Sequence, residues 1–219
     1  MSEQEWLKEI FEQGKKDQKV SEKQIKIIEA AVEIFSEKGY AAASTSEIAK
    51  KAGVAEGTIF RHYRTKKDLL YSIITPTLLK IVFPVVAKTF IKQVLVKHED
   101  LSFDEIIRKM LFNRYNFVKN NTPLLKIILQ EIAFHDEMKM QFQEAFMDHA
   151  YNKLIEVVEY YQAKGEIIDI PTKSVIRMVV TTIFGFLIMR FIIVPESEWN
   201  DEEEIELTIQ FIMNGLSKK

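Results

Sequence analysis

Residues 39–70 read GYAAASTSEIAKKAGVAEGTIFRHYRTKKDLL, and this stretch decides how the N-terminal part of the chain folds. Ser44 and Glu47 match a capping box, which predicts the start of a short helix. Gly53 is expected to end that helix, and residues 57–63 then form one further, very short helix. Two helices separated by a glycine turn and followed by basic residues are typical of a helix-turn-helix, whose second helix enters the DNA major groove.

The flanking residues predict the helices that support this motif. Ser21 and Gln24 match a second capping box, and apolar side chains then recur at steps of three and four residues. Gly39 follows at a position where a helix can end, because a positive φ is cheap only for glycine. The predicted helices cover 22–38 and 45–52, and Thr65 with Asp68 is expected to cap another.

The same region resembles the tetracycline-repressor (TetR) family of transcriptional regulators over roughly residues 20–75. The positions that carry the resemblance are Gly39-Tyr40, Thr45, Ile48-Ala49, Ala52-Gly53-Val54, Gly57-Thr58-Ile59-Phe60, His62-Tyr63, Lys66 and Leu69-Leu70. The resemblance implies an all-α fold. It also implies a three-helix head with the helix-turn-helix, joined by a long helix to a C-terminal helical body for ligand binding and dimerisation.

The candidate DNA-binding residues lie at the two ends of the motif. Hydroxyls and free helix amides at Ser44, Thr45 and Ser46 suit DNA phosphates, and Gly57 permits close approach to the duplex. By the resemblance, phosphate contacts are expected from Thr45, Thr58, His62 and Lys66. By the same resemblance, base contacts are expected from Ser46, Glu56, Gly57 and Arg61.

Three positions depart from the family pattern. Phe60 occupies a site where the family usually has a tyrosine that contacts a phosphate, and Ala55 replaces the usual serine cap of the recognition helix. Glu56 places an acid at the start of that helix, where it repels phosphate but can accept a hydrogen bond from cytosine N4. The alternative is a purely structural helical hairpin with a solvated basic face. It would explain the basic residues, but it would not explain why the caps, the glycine turn and the basic residues all match a helix-turn-helix.

Composition supports a helical protein with a basic head. The chain has 219 residues, 47% of them apolar, with only 7 Gly and 5 Pro. Residues 20–80 carry 10 Lys and Arg against 7 Asp and Glu, whereas residues 81–219 carry 16 against 20. This asymmetry suits DNA docking by one end. Cysteine is absent and the charged N-terminus lacks a signal-peptide core, so a cytoplasmic protein is expected.

The chain is predicted to have three parts. Residues 1–19 carry an amphipathic patch that forms either a short extra helix or a flexible arm, and both alternatives stay open. Residues 20–75 form the DNA-binding domain, and residues 76–219 form the effector-binding and dimerisation domain. The predicted helices of this body run from after Lys67 to about His98 with bends at Pro76 and Pro84, then over 102–120, from 122, over 137–164, from 172 to before Pro195, and over 201–215.

The last two long helices are the predicted dimer interface. They are apolar on more than one face, and by the resemblance such helices pair across a two-fold axis as a four-helix bundle. The predicted interface residues are Ile176, Val180, Ile183, Phe184, Gly185 and Leu187. Burial within one subunit explains much of the same pattern. The most apolar segment, Met178 to Met189, is too short to span a bilayer and is expected to be a buried helix without a membrane role.

Aromatic side chains in the body suggest a pocket for a hydrophobic small-molecule effector. The predicted lining residues are Phe112, Tyr115, Phe134, His135, Phe142, Phe146 and Phe186. Plain core packing is the alternative for each of them.

These patterns together predict a dimeric repressor that a hydrophobic effector releases from a palindromic operator in double-stranded DNA. No catalytic residue, cofactor or metal site is predicted, and the chain is not expected to be an enzyme. One alternative is a DNA-binding protein without an effector. A helical-bundle metalloenzyme is another, but Glu131 and His135 give a single Glu-x-x-x-His instead of the repeated Glu-x-x-His of di-iron bundles.

Overall fold

A computed structural model describes residues 21–74, 101–147, 151–196, 198 and 200–217. Its helices are α1 Glu22–Ala42, α2 Thr45–Ala52, α3 Glu56–His62, α4 Lys66–Ile74, α5 Phe103–Asn120, α6 Thr122–Glu131, α7 Asp136–Phe146, α8 Asn152–Ala163, α9 Thr172–Ile188 and α10 Asp201–Leu216. Helix α9 continues as a π-helical turn, Met189–Ile193. Within the described residues, the one extended pairing is an isolated bridge between Ile167 and Ser217. The predicted all-α fold is confirmed.

Local signals in the sequence define the ends of the first helices. Both predicted capping boxes form, at Ser21 and at Ser44. Gly53 ends α2 with a φ of 66°, in the left-handed region. Gly39 has a φ of 78° and a ψ of 158°, so the first regular stretch of α1 ends at residue 38 as predicted, and a short helical stretch continues beyond this kink to Ala42. The ends of α2 and α3 agree with the prediction to within one residue.

Several body helices also begin where the sequence predicts. Ser102 exchanges hydrogen bonds with Glu105 at the start of α5, and Asn200 accepts from the Glu203 amide at the start of α10. The long helix predicted to reach His98 lies outside the described residues, as does the 1–19 extension. The helix predicted over 137–164 is described as α7 and α8, and residues 148–150 between them lie outside the description.

The described helices fall into two compact units. The first contains α1–α4, α6 and most of α7, and the second contains most of α5 with α8, α9 and α10. Residues 120–145, which the sequence analysis assigned to the body, therefore pack in the same unit as the helix-turn-helix. The functional boundary at residue 75 stays a prediction, because packing and function need not divide the chain at the same place.

The core of the first unit forms around α1. Helices α2, α4 and α6 pack against α1, and the fully buried side chains of this unit include Ile27, Phe35, Ile48, Ile59, Leu69, Leu70 and Ile73. Burial of each large side chain contributes about 1.5–3 kcal/mol relative to exposure. This core holds the two short helices α2 and α3, which are too short to be stable alone.

The second unit has its own core and contains a small apolar pocket. Tyr161 is fully buried, and its hydroxyl donates to the Leu101 carbonyl at 2.6 Å. The pocket is lined by ten apolar residues of α5, α8 and α9: Phe103, Ile106, Ile107, Met110, Leu154, Val157, Val158, Ile176, Val179 and Val180. This unit therefore contains space that only apolar groups can favourably fill.

Helix α9 has the bounds that the sequence analysis predicted, but it is more exposed than expected. With its π-helical extension it spans Thr172–Ile193, 22 residues with a mean hydropathy of 2.0, and only 22% of its most apolar window is buried. By length and composition, this helix alone among the described ones is able to cross a membrane, although core helices of soluble proteins pass the same test. The expectation that the segment Met178 to Met189 is buried is wrong for one of its faces: Val179, Ile183 and Leu187 are buried, whereas Met178, Phe184 and Met189 are exposed.

Candidate nucleic-acid interface

The start of α2 is held by a reciprocal cap. The Ser44 hydroxyl accepts from the Glu47 amide at 3.1 Å, so this hydroxyl serves the helix end in the free chain. Lys38 donates to the Glu47 carboxylate at 2.6 Å, and this hydrogen bond lowers the pKa of Glu47. The neighbouring Ser46 is exposed. The cap fixes the end of α2 that is expected to face phosphates.

A hydrogen bond joins the first residues of α2 and α3. The Thr45 hydroxyl donates to Glu56 Oε1 at 2.6 Å. The sequence analysis named both residues but did not pair them, because an 11-residue separation across a glycine turn carries no pairing signal. Thr45 is half-buried and Glu56 is exposed, so the carboxylate stands on the outer face of the motif.

Helix α3 presents an open outer face. Glu56, Gly57, Arg61 and His62 are exposed, Thr58 is half-buried, and Phe60 exposes 47% of its surface. A Cβ added at Gly57 would meet no atom within 4 Å, so the space in front of the helix is free. Ala55 gives α3 no side-chain cap, as its residue type predicts.

The ammonium of Lys66 points to backbone carbonyls of the chain itself, whereas a phosphate ligand is expected to point to solvent. Its ammonium donates to the carbonyls of Tyr40 at 2.6 Å and Ala43 at 2.8 Å, with the Ala41 carbonyl at 3.3 Å. It also lies 4.4 Å from the centroid of the Tyr40 ring. A lysine ammonium has three donors, so Lys66 closes the end of α1 in the free chain, and its predicted phosphate contact stays a prediction.

Two arginines provide positive charge that no carboxylate neutralises in the described part of the chain. Arg61 and Arg64 are exposed, and neither takes part in an ion pair there. Lys38 and Lys51, in contrast, are paired with Glu47 and Glu33. A helix-turn-helix with an open α3 face and unpaired arginines beside it has the geometry and the charge to enter a major groove.

Comparison with known proteins identifies this arrangement. Residues 27–73, which span most of α1 to α4, match the family model described as "Bacterial regulatory proteins, tetR family". The helix-turn-helix head of this chain is of the TetR family. The resemblance that the sequence analysis described over residues 20–75 is thereby confirmed.

Individual TetR-family relatives match either the head alone or most of the chain. The fatty acid metabolism regulator protein of Bacillus subtilis is 49% identical over 51 residues, which are 23% of this chain and 26% of that protein. The match thus spans about a quarter of that relative's length. The transcriptional regulator YhgD of the same organism is 25% identical over 203 residues, covering 87% of this chain and 95% of YhgD.

Solved structures share the fold along most of the chain. The fatty acid degradation regulator FadR from Bacillus halodurans superimposes with a TM-score of 0.68 at 22% identity, covering 90% of this chain and 97% of that one. FadR from Bacillus subtilis, solved in complex with stearoyl-CoA, gives 0.65 at 21% identity, with 87% and 98% coverage. At these identities the likeness is one of fold, and it confirms the TetR-family architecture.

The residues predicted to line an effector pocket are divided between the two units. In the first unit, Phe134 is 82% exposed, and His135 contacts Tyr71 and Glu131. In the second unit, Phe112 and Phe186 are half-buried, and Tyr115 donates to Asp201 at 2.5 Å. The side chains of Phe142 and Phe146 lie outside the description. None of the five predicted residues whose side chains are described lines the apolar pocket of the second unit. Spacing identifies aromatic residues, but it does not show which helix face meets a cavity.

The Glu131–His135 pair has a structural explanation within the first unit. His135 Nε2 lies 3.2 Å from Glu131 Oε2, and the Tyr71 hydroxyl lies 3.3 Å from His135 Nδ1. The Tyr40 ring packs edge-on against the same imidazole, with 6.1 Å between centroids. These contacts satisfy both ring nitrogens and join the end of α1 to α4 and α6.

The structure places the predicted dimer-interface residues on different faces of α9, and the interface itself stays a prediction. Ile176, Ile183 and Leu187 are buried in their own subunit, and Val180 borders the apolar pocket. Phe184 and Gly185 are exposed as an interface requires. The outer apolar surface, called the open face here, consists of Met178, Phe184, Met189 and Ile193 with Leu207 and Phe211 of α10. A helix apolar all round has an inner and an outer apolar face, and the sequence alone does not distinguish them.

Proposed function

We propose that this TetR-family chain is a homodimeric, sequence-specific DNA-binding regulator that represses transcription from a palindromic operator. In this proposal, α3 of each subunit lies in the major groove with its first residues towards the bases, and the start of α2 contacts the backbone. The observation that carries the proposal is the open α3 face beside Arg61 and Arg64, within a head that matches the family. Such a role places the protein in the cytoplasm with the DNA.

The open face supports the dimer. Apolar side chains of this size are rarely clustered on a monomer's surface without a partner, and Phe211 exposes 70% of its surface. If a second copy of the chain packed its open face against the open face of the first, both faces would be buried, as in a two-fold interface. Two heads held in this way would read two half-sites one helical turn apart.

An apolar effector is the second part of the proposal. The pocket of the second unit has a cavity volume of about 20 Å³ and is lined by aliphatic and aromatic side chains. Its walls favour an alkyl chain over a polar metabolite, but α5, α8 and α9 must move apart to admit one. Because one fold neighbour was solved with stearoyl-CoA, long-chain acyl-CoA is the first ligand class to test. To release DNA, the ligand must bind the non-operator geometry more tightly, since equal binding to both states shifts nothing.

The test uses the full-length protein. Selection from a random DNA library should enrich a two-fold symmetric sequence, and titration at several salt concentrations should give specific binding well above that of random DNA. Stearoyl-CoA, with free CoA as the matched control, should then weaken operator binding. Equal affinity for all DNA sequences would contradict the proposal that the protein is a sequence-specific regulator. Specific binding that no acyl-CoA or other hydrophobic ligand alters would favour the alternative, a DNA-binding protein without an effector.

A further inference from the structure

Glu56 is an unusual side chain for a DNA-reading helix. It is the first residue of α3 and is exposed, and among the described ion pairs none includes it. Its described partner is the Thr45 hydroxyl at 2.6 Å. A carboxylate repels DNA phosphates, so its presence near the duplex is unfavourable unless a donor from the DNA meets it.

The major groove restricts which base can be that donor. Guanine and thymine present acceptor oxygens, whereas cytosine and adenine present amino groups. Adenine places its N7 acceptor beside the amino group, where it would repel the second carboxylate oxygen. Cytosine has a C–H group at that side. A carboxylate therefore fits cytosine N4 best.

Thr45 gives this carboxylate a defined orientation. The hydrogen bond engages Oε1, so Oε2 is the oxygen that remains for a base. A glutamate loses considerable rotamer entropy when it is fixed, and a bond already present in the free chain reduces the loss on binding. Thr45 is half-buried at the start of α2, which makes it a firm anchor.

We propose that Glu56 selects a cytosine in each operator half-site and that Thr45 positions its carboxylate for this contact. The inference rests on the proposed function, because it requires α3 to lie in the major groove. Glu56 acts by attraction to the cytosine amino group and by repulsion of guanine and thymine at the same position, which together give specificity. Thr45 then has a positioning role instead of the phosphate contact expected from the resemblance.

The first arm of the test compares base preferences. Wild type, Glu56→Gln and Glu56→Ala are each used to select sites from a random library, and their binding to the wild-type site is measured. Glu56→Gln should move the preference from cytosine towards adenine, because a carboxamide pairs with adenine N6 and N7, and should weaken binding to the cytosine site about tenfold. Glu37→Gln removes the same charge from the exposed side of α1 and should leave the preference unchanged.

The second arm tests the role of Thr45. Thr45→Val keeps the side-chain shape but removes the hydroxyl, and it should reduce discrimination at the cytosine position several-fold while random-DNA binding stays the same. An equal loss of affinity for every sequence would assign Thr45 to a phosphate and overturn its positioning role. A cytosine preference that survives in both Glu56 variants would overturn the inference alone. A wild type that enriches no sequence would overturn the proposed function and the inference with it.

Discussion

Three backbone carbonyls converge on the ammonium of Lys66, and this single contact closes the end of α1 after its break at Gly39. The carbonyls at a helix end carry partial negative charge, so a lysine there both satisfies hydrogen bonds and complements the dipole. The extra turn of α1 to Ala42 is accounted for by this contact. No signal within the helix itself would indicate it, because Lys66 comes from a different element.

Replacement of Lys66 by Met should lower the free energy of unfolding by about 1–2 kcal/mol, since three carbonyls lose a charged donor. DNA affinity should fall at the same time, because the end of α1 leads into Ser44 and Thr45. Chemical denaturation followed by circular dichroism measures the first effect. Lys67→Met removes an equal charge from an exposed neighbour and serves as control. Unchanged stability with a reduced salt dependence of DNA binding would assign Lys66 to a phosphate instead.

Asp201 forms a polar contact that stabilises the second unit. Arg190 Nε donates to Asp201 Oδ1 at 2.5 Å and the Tyr115 hydroxyl donates to Oδ2 at 2.5 Å, and these bonds lower the pKa of Asp201. Burial raises the pKa of Tyr115 to about 12, so its hydroxyl stays a donor throughout the neutral range.

The lowered pKa of Asp201 predicts a pH-dependent stability. A carboxyl that is more acidic in the folded chain stabilises it above the ordinary pKa of 3.8, and the contribution disappears as pH falls through the folded value. Asp201→Asn should therefore cost about 1–2 kcal/mol at pH 7, and the difference from wild type should shrink below about pH 4. Denaturation at a series of pH values measures it, with the exposed Asp169→Asn as control. A difference independent of pH would contradict the role of the charge.

Helix α3 has free space in front of Gly57, and this space is the feature that should let the helix approach DNA. Gly57→Val should leave the fold intact, with a stability change within about 1 kcal/mol, because the added side chain meets no protein atom. It should reduce operator affinity at least tenfold by holding α3 away from the bases. Gly57→Ala is the matched control and should lose less. Fluorescence anisotropy with labelled operator gives the affinities, and full affinity of the valine variant would mean that another helix reads the DNA.

The positions of the helices were largely predictable from the sequence, whereas the face of each helix that is buried was not. Capping boxes, glycine turns and the proline after Thr122 act over three or four residues, so the sequence contains the whole signal. The direction that a helix face points depends on partners far along the chain. This is why Ile183 was expected at a dimer interface but is buried in its own subunit, and why the Thr45–Glu56 bond was not foreseen.

The pocket gives a prediction for the response of the second unit to ligand. Val180 is half-buried at the edge of this space of about 20 Å³, so Val180→Phe should fill it and overpack it, at a cost of about 1–3 kcal/mol. Release of operator by stearoyl-CoA should weaken at least tenfold while DNA affinity without ligand is retained. Val180→Ala, which enlarges the pocket, is the control and should still respond. Retained response in the phenylalanine variant would mean that the ligand binds elsewhere.

For the whole molecule, the open face is expected to set the oligomeric state. Gly185 is exposed next to Phe184 of this face, and an added Cβ would meet no atom within 4 Å, so Gly185→Glu is tolerated in a monomer but would bury an unpaired charge in a dimer. The substitution should raise the dimer dissociation constant at least a hundredfold and weaken palindrome binding. Sedimentation velocity measures the first effect, with Asn116→Glu on the exposed side of α5 as control. A wild type that sediments as a monomer at micromolar concentration would contradict the dimer.

Helix α6 has a consequence for anyone who exchanges heads between regulators. It begins about fifty residues after α4 ends, yet its Leu124 and Ile127 are buried in the unit built around α1, and Gln130 lies 3.7 Å from the position of a Cβ on Gly39. A chimera joined at residue 75 would lack α6 and would expose the apolar surface of α1 that α6 covers to solvent. The unit that must be transferred to keep the helix-turn-helix folded is thus discontinuous in sequence. A graft that carries residues 120–145 along with 20–75 is the one expected to remain soluble and to keep its sequence preference.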